Sequence, residues 1–210
     1  GLDSDDSYFA EVDKETMGRL YIGVMGQGHT PMTTLVHTSA VLSQAVVETE
    51  ITDRSKDSWW TQVIYHNSKR ELGKTMTLSR DDFPERIKVI TSDSAKMRDM
   101  DNVDELSANI RGIEIPEVLS RLDIPSSDPQ SVDLLPCTNM ISVGVDVSRL
   151  GCMLILGQPK TTAEYIQASS RVGRDSSRPS GIVVTLYSSS KPRDRSHYEN
   201  FVAYHRSLYR

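Results

Sequence analysis

Two arginines stand three residues apart in QASSRVGR, the segment at positions 167–174. The segment ends a stretch of helical spacing, so Arg171 and Arg174 are expected on one face of a helix, within reach of one phosphate. Planar guanidinium groups offer paired donors to the negative charge that spreads over a phosphoryl group during its transfer. The segment therefore predicts phosphoryl chemistry, and the alternative is an ordinary basic loop in solvent.

A second polar segment, TNMISVGVDVSRL at positions 138–150, follows the apolar run VDLLPC. Thr138 and Asn139 offer a hydroxyl, an amide and backbone N–H groups to nucleic-acid phosphates, and such contacts do not depend on base sequence. Gly144 allows a close backbone approach or a positive φ. Asp146 adds a carboxylate that is available to a ligand. The alternative interpretation is that this carboxylate caps the next turn. The position predicts a ligand site, because ligands gather outside the carboxyl ends of strands in open α/β sheets.

The elements that must position these segments alternate between apolar runs of strand length and stretches of helical period. This alternation is typical of βαβ units around a mainly parallel sheet. Runs such as LLPC and MLIL have no polar face, as expected for strands covered by helices on both sides. We predict about six strands, at positions 20–25, 61–66, 87–91, 132–137, 152–156 and 181–187.

Capping residues and prolines indicate where helices begin between these strands. The candidates are Thr30 followed by Pro31, positions 69–79, Pro116, Thr161 or Thr162 for a helix through Arg171, and Asp194 for the last helix. Segments rich in turn formers predict loops at 49–58, 92–109 and 123–131.

The segment at 167–174 resembles motif VI of superfamily 2 nucleic-acid helicases, with the spacing of Gln167, Arg171, Gly173 and Arg174 kept and Ser170 in place of the first glycine. The segment at 138–150 resembles motif V of the same family. Its matching residues are Thr138, Gly144, Val145, Asp146, Val147 and Leu150. The resemblance predicts the second RecA-like lobe of such a helicase.

A third segment, TQVIYHNSKREL at 61–72, is similar to motif IV of these helicases. In that case Asn67, Ser68 and Lys69 meet a nucleic-acid phosphate in a polar turn, although an ordinary strand end fits the same letters. The three segments together extend the resemblance over about residues 60–187. The sequence stretches GQPKTTAEYIQASSRVGR and PRDRSHYE further resemble large bacterial helicases of DISARM-type phage-defence systems.

The resemblance implies an α/β fold of the RecA-like three-layer kind, with helices on both faces of the sheet. It implies that Arg171 and Arg174 are arginine fingers and that Gln167 contacts the γ-phosphate or the attacking water. Asp146 would accept a hydrogen bond from a nucleotide ribose, beside Gly144. The implied ligands are DNA or RNA and ATP with Mg²⁺, the ATP being held mainly by a first RecA-like lobe.

That first lobe is not found in these residues. The segment SKRELGKT at 68–75 imitates a phosphate loop, but Ser68 replaces its first glycine and GKT falls in a helical pattern, so we interpret it as a chance match. No D-E-x-x carboxylate box for Mg²⁺ follows a strand. The sequence lacks an initiator methionine, so we expect a part of a longer protein that hydrolyses no ATP by itself.

Composition favours one principal domain, at 20–190, with a polar extension or linker at 1–19 and a helix at 191–210 that packs on the domain or on a neighbour. A net charge of −5 excludes a general basic coat, so phosphate contacts must be local. Two cysteines in apolar runs, no metal-ligand spacing and no membrane span predict a cytoplasmic protein without a structural metal.

Two functions fit these observations. The first is the motor lobe of an ATP-dependent helicase or translocase, with defence-system proteins as possible partners. The alternative is a catalytically inactive helicase-like module that binds nucleic acid or a protein, which the serine at position 170 would favour. A dinucleotide-binding enzyme fits the alternating elements, but GVMGQGHT at 23–30 is a poor match to G-x-G-x-x-G.

Overall fold

The computed structural model describes residues 18–142 and 145–208. Its centre is a sheet of five parallel strands in the order β1-β5-β4-β2-β3, so the predicted parallel α/β fold is confirmed with one strand fewer than about six. The strands are β1 (Leu20–Gly26), β2 (Gln62–His66), β3 (Leu134–Cys137), β4 (Cys152–Leu156) and β5 (Ile182–Ser188).

Eight α-helices lie between and after the strands in the described residues. They are α1 (Pro31–Glu48), α2 (Asp53–Trp60), α3 (Lys69–Leu78), α4 (Asp82–Ile90), α5 (Ile115–Leu122), α6 (Thr162–Ser169), α7 (Pro192–Glu199) and α8 (Phe201–Arg206). The predicted caps are confirmed at α1, where the Thr30 side chain accepts from the Thr33 N–H, and at α6, where Thr161 accepts from the Glu164 N–H. Across the described part of the chain, no helix has the length and apolarity needed to cross a membrane.

The two faces of the sheet carry separate cores, because successive side chains of a strand point in opposite directions. On β2, Val63 and Tyr65 pack with one cluster and Ile64 with the other. The first cluster takes its helical side chains from α5 and α6, and the second takes them from α1 and α4. Both faces are therefore covered, which explains why the central strands have no polar alternation.

Two predicted elements are wrong, the strand at 87–91 and the loop at 49–58. The supposed strand at 87–91 is the end of α4, where Phe83 and Ile87 are buried one helical turn apart against the same core as α1. The supposed loop at 49–58 contains α2, which begins after Thr52 because the Thr52 side chain accepts from the Ser55 N–H at 3.2 Å.

Two predicted helix ends also need correction. Helix α6 ends at Ser169, so it does not continue through Arg171. Asp194 does not cap the last helix, because α7 begins at Pro192 and Asp194 is buried in its first turn. The Asp194 carboxylate instead accepts from the backbone N–H of Ser188 at 2.9 Å, and so joins α7 to the end of β5.

Helices α7 and α8 lie against β1 and β5. The Tyr165 hydroxyl is 2.9 Å from Nε2 of His205, whose Nδ1 is 2.8 Å from the Phe201 carbonyl oxygen. Gln158 donates from Nε2 to the Tyr204 hydroxyl at 3.1 Å. These contacts connect the end of the chain to α6 and to the loop that precedes it.

Candidate functional site

The polar segments after β2 and β3 meet at one edge of the sheet, whereas the segment at 167–174 packs on Leu150 and Gly181, which precede β4 and β5 at the opposite edge. The first of these segments follows β2, the other follows β3, and the loop before α6 follows β4; the carboxyl ends of parallel strands meet at the same edge. A cleft of about 220 Å³ lies there, which we call the polar cleft. It is lined by Tyr65, His66, Asn67, Ser68, Lys69, Ala108, Thr138, Asn139, Lys160 and Glu164. All five residues predicted to contact nucleic acid therefore line one cleft.

Two of those five residues are engaged in local structure. Asn67 donates from Nδ2 to the carbonyl oxygens of Leu156 at 2.8 Å and Gly157 at 3.1 Å, so it connects the ends of β2 and β4. The Ser68 hydroxyl caps α3, accepting from the Glu71 N–H at 3.3 Å. Their side chains shape the cleft, while Lys69 and Asn139 are exposed and Thr138 is nearly buried.

Lys160 is a cation of the polar cleft that the sequence analysis did not select. It is exposed in the loop between β4 and α6. Its backbone N–H donates to the Glu164 carboxylate at 3.2 Å, and the Tyr65 hydroxyl donates to the other oxygen at 2.6 Å. Burial, together with this carboxylate, raises the pKa of Tyr65. A lysine in the short loop between a buried strand and the Thr161 helix cap was the signal in the sequence that could have identified it.

His66 forms part of the floor of the polar cleft. It is 1% exposed, and neither ring nitrogen has a hydrogen-bond partner among the described residues. Burial lowers the pKa of His66 to about 3, so the imidazole is neutral at physiological pH. The cationic groups of the cleft are therefore its lysines.

Arg171 and Arg174 lie beyond the end of α6, so they do not share a helical face as predicted. Arg171 is turned towards the segment that resembles motif V: its Nη1 donates to the Val145 carbonyl oxygen at 3.1 Å and its Nη2 to that of Ser142. Arg171 therefore holds together the backbones of the two segments.

Arg174 has a different environment. Its Nη1 lies 2.7 Å from Oδ1 of Asp146, and the two side chains are 39% and 73% exposed. An ion pair this exposed contributes little stability, so the guanidinium and the carboxylate can both turn to a ligand. Gln167 is exposed at the end of α6. Gly144 lies outside the described residues.

The backbone around Arg174 is tightly constrained. Gly173 has a φ of 60°, in the left-handed region that favours glycine. A Cβ atom on Gly173 would lie 2.5 Å from Cα of Gly181, so the two glycines pack against each other without side chains. Ser170, by contrast, has a φ of −73°, which any residue adopts. The serine in place of the first motif glycine therefore places no strain on the backbone.

Asp57 on α2 ties the flanks of both segments together. Its carboxylate accepts from the Ser126 N–H at 2.8 Å, from Arg178 at 2.8 Å and from Arg149 at 3.3 Å. Partial burial opposes the charge, but these hydrogen bonds outweigh it and keep the pKa of Asp57 below its usual range. Arg149 belongs to the segment at 138–150 and Arg178 follows the segment at 167–174, so one carboxylate connects the two segments.

The SKRELGKT segment has no phosphate-loop geometry. Ser68 is the N-cap of α3, and Gly73, Lys74 and Thr75 are in the interior of that helix. A phosphate loop requires free backbone N–H groups between a strand and a helix, which these residues do not offer. In the described ranges, no three His, Cys, Asp or Glu residues group together as metal ligands would.

The profile of the helicase conserved C-terminal domain matches residues 44–176, which is more than half of the chain, so the chain belongs to that family. The fold agrees. DUF1998 helicase MrfA, solved bound to DNA and AMPPNP, superposes with a TM-score of 0.63 at 13% identity over 95% of this chain and 24% of that chain. Dbp5 of S. cerevisiae, bound to RNA and ADP BeF3, gives 0.56 at 11% identity over 95% and 41%. The fold is the RecA-like fold of helicase second lobes.

A particular relative follows from the sequence comparison. The chain is 44% identical to the DISARM protein DrmA of Bacillus paralicheniformis over 216 aligned residues. The alignment covers 100% of this chain and 19% of that protein. The resemblance to DISARM-type helicases is therefore confirmed, for a stretch about one fifth as long as the curated relative.

Proposed function

We propose that this chain is the second motor lobe of an ATP-dependent nucleic-acid helicase or translocase, supplying an arginine finger and part of the nucleic-acid groove. The observation that carries the proposal is the exposed pair of Arg174 and Asp146, whose charged atoms are 2.7 Å apart. It combines an exposed guanidinium with an acceptor for a ribose hydroxyl.

The residues present fit a nucleotide held mostly by another lobe. Arg174 and Asp146 offer contacts to one end of a nucleotide, and the described residues contain no phosphate cradle. ATP with Mg²⁺, when bound, supplies the γ-phosphoryl group that is transferred to water. Arg174 would approach the oxygens of that group. Its positive charge, added to that of Mg²⁺, would stabilise the negative charge that develops on these oxygens in the transition state. Gln167 would orient the water, with Gly144 and Asp146 beside the ribose.

The two arginines then have separate roles. Because Arg171 donates to two backbone carbonyls, it would act mainly by fixing the path of the segment. Arg174 would act on the phosphoryl group, since its present partner is an exposed carboxylate. The two arginine fingers expected from the sequence thus become one finger, Arg174, and one residue that fixes the backbone, Arg171.

The polar cleft would hold the sugar-phosphate backbone of DNA or RNA. Lys69, Lys160, Asn139 and Thr138 offer charges and donors that suit phosphate and sugar groups, and contacts to those groups would not read sequence. Closure of the two lobes on ATP and reopening after hydrolysis would move the strand stepwise. The likeness to DISARM protein DrmA further supports a role in phage defence in the cytoplasm, with other defence proteins as partners.

The test is Arg174→Ala in the intact protein that contains this chain. Hydrolysis should fall by about 10³-fold or more, the range found for arginine fingers, while ATP binding changes little. Lys88→Ala is the control, because Lys88 also forms an exposed ion pair, with Glu85 at 2.6 Å, on α4 away from the site. Unchanged turnover in Arg174→Ala contradicts the finger assignment.

The alternative, an inactive helicase-like module that binds nucleic acid or a protein, rested on the serine at position 170. The relaxed φ of Ser170 removes that support, because the backbone does not need a glycine there. Measuring ATP hydrolysis of the intact wild-type protein with and without nucleic acid separates the two functions. No turnover under either condition favours the inactive module.

A further inference from the structure

We propose that Arg19 is a positioning residue for the arginine finger, a role that rests on the proposed function. Arg19 lies directly before β1, about 150 residues from the segment it contacts. Its Nε donates to the Val172 carbonyl oxygen at 2.7 Å, and its Nη2 donates to that of Ser170 at 3.1 Å. One guanidinium thus binds two carbonyls on either side of Arg171.

The contact matches the electrostatics of a helix end. Ser170 is the C-cap of α6, so its carbonyl belongs to the group that no longer has a helical partner. A positive charge at this end is favoured by the helix dipole, and charged hydrogen bonds are stronger than neutral ones. The aliphatic part of Arg19 also packs near Gly173, with Cγ 3.7 Å from where a Cβ would be. Arg19 therefore fixes the turn at which the chain leaves α6.

Arg19 and Arg171 hold the same backbone from opposite sides. Arg171 donates to the carbonyls of Val145 and Ser142, while Arg19 donates to the carbonyls of the residues on each side of Arg171. The finger Arg174 follows across Gly173, whose positive φ sets the direction of the next residues. A change in the carbonyl positions at 170 and 172 would therefore redirect Arg174.

The location of Arg19 gives this contact a functional meaning. In the proposed helicase, the first lobe precedes this chain, so Arg19 stands where the connection between lobes reaches β1. A displacement of that connection would act on the finger through two hydrogen bonds. A reaction of this kind is sensitive to small displacements, since about 1 Å of misplacement can reduce a rate by roughly a hundredfold.

The experiment compares Arg19→Gln, Arg19→Lys and Arg121→Gln in the intact protein. Arg121 is the control because it also joins two distant parts of the fold, pairing with Asp104 at 2.7 Å from α5. We expect Arg19→Gln to lower kcat for nucleic-acid-stimulated ATP hydrolysis by roughly tenfold to a hundredfold, with the KM for ATP within about twofold. Lysine keeps the charge but cannot fork to both carbonyls, so Arg19→Lys should retain an intermediate kcat.

A second readout does not depend on turnover. Amide hydrogen exchange in the intact protein should increase over residues 170–178 in Arg19→Gln and stay unchanged there in Arg121→Gln. A purely structural role predicts a different result: kcat falls only in proportion to the unfolded fraction, measured from the thermal midpoint, and exchange rises over the whole domain. That result, or an unchanged kcat, overturns the proposal.

If Arg19→Gln does not fold, Arg19→Lys decides, and wild-type kcat and exchange in that variant overturn the proposal. The proposed function fails in a different way, because it predicts ATP hydrolysis by the wild type and its loss in Arg174→Ala. Wild-type hydrolysis that is lost in Arg174→Ala but kept in Arg19→Gln rejects the positioning role alone.

Discussion

The segment at 170–178 and the polar cleft lie at opposite edges of the sheet and are built differently. The segment packs on residues that precede β1, β4 and β5, whereas the cleft lies beyond the carboxyl ends of β2, β3 and β4. The segment is fixed by guanidinium groups that donate to backbone carbonyls: Arg19 donates to carbonyls of the segment, and Arg171 of the segment donates to carbonyls of residues 142 and 145. In the cleft, exposed lysines point into an open space of about 220 Å³. Chemistry on one phosphoryl group requires a fixed geometry. Binding a nucleic acid of any sequence instead requires charged side chains that can adjust their positions.

The largest effect should come from Gly173→Ala, which disturbs the fixed backbone of the segment at 170–178. A left-handed φ of 60° and a Cβ at 2.5 Å from Gly181 should together cost about 2 to 4 kcal/mol of unfolding free energy. ATP hydrolysis should fall by at least about a hundredfold, because Arg174 is displaced. Thermal unfolding and steady-state kinetics of the intact protein measure both.

Gly73→Ala is the matched control for that variant. Gly73 is inside α3, and no described atom lies within 4 Å of the added Cβ. The change should stabilise the protein by roughly 0.5 to 1 kcal/mol, as alanine does in a helix. Equal effects of the two substitutions would mean that the backbone at Gly173 is not constrained as described.

An effect of intermediate size is expected at the floor of the polar cleft, from the pH dependence of His66. Its pKa in the folded protein is about 3, below the ordinary value of 6.5, so the unfolded chain takes up a proton first as pH falls. Stability should therefore be complete above pH 6.5 and decline on acidification towards pH 3 by up to about 1.4 kcal/mol per pH unit. Urea unfolding between pH 7 and 5 measures this slope.

His66→Gln should flatten that slope, because the group that titrates on unfolding is removed. The exposed His29→Gln serves as the comparison. A slope that is identical in the wild type and in His66→Gln would show that the ring is not held neutral by burial.

The smallest effect is expected from the exposed lysines of the polar cleft. Lys160→Ala and Lys69→Ala should each weaken nucleic-acid binding by roughly fivefold and reduce the slope of log affinity against log salt by about 1. The kcat at saturating nucleic acid should stay constant, because neither lysine contacts the phosphoryl group. Lys88→Ala should leave affinity unchanged. A large loss of kcat in Lys160→Ala would instead show that the polar cleft contributes to ATP hydrolysis, as the segment at 170–178 is proposed to do.

The sequence predicted the elements whose signals are local. Thr30 with Pro31 marks the start of α1, and the apolar run at 152–156 coincides with β4. Helix α4 was missed because its period shows only when Phe83 is counted with Ile87. Helix α2 was missed because its buried surface is small, so that its cap at Thr52 was the main cue.

The site was predicted as a set of residue types and not as a geometry. Motif spacing brought Arg174 and Asp146 into one proposal, and the fold brings them to 2.7 Å. The braces Arg19, Asp57 and Arg171 act over long sequence separations, on backbone carbonyls or shared carboxylates, and no local pattern distinguishes them from surface charges. Lys160 was overlooked because most other residues of the cleft stand at the ends of β2 and β3, far from it in sequence.

The two helices at the end of the chain set a practical limit for protein engineering. Asp194 holds the end of β5, Gln158 lies between the hydroxyls of Tyr187 and Tyr204, and Leu208 belongs to the same core as α6. A shortened version that stopped before Pro192 would open this core to water and would release the loop that carries Lys160. Anyone trimming the domain for crystals or for spectroscopy should therefore keep the chain through Leu208.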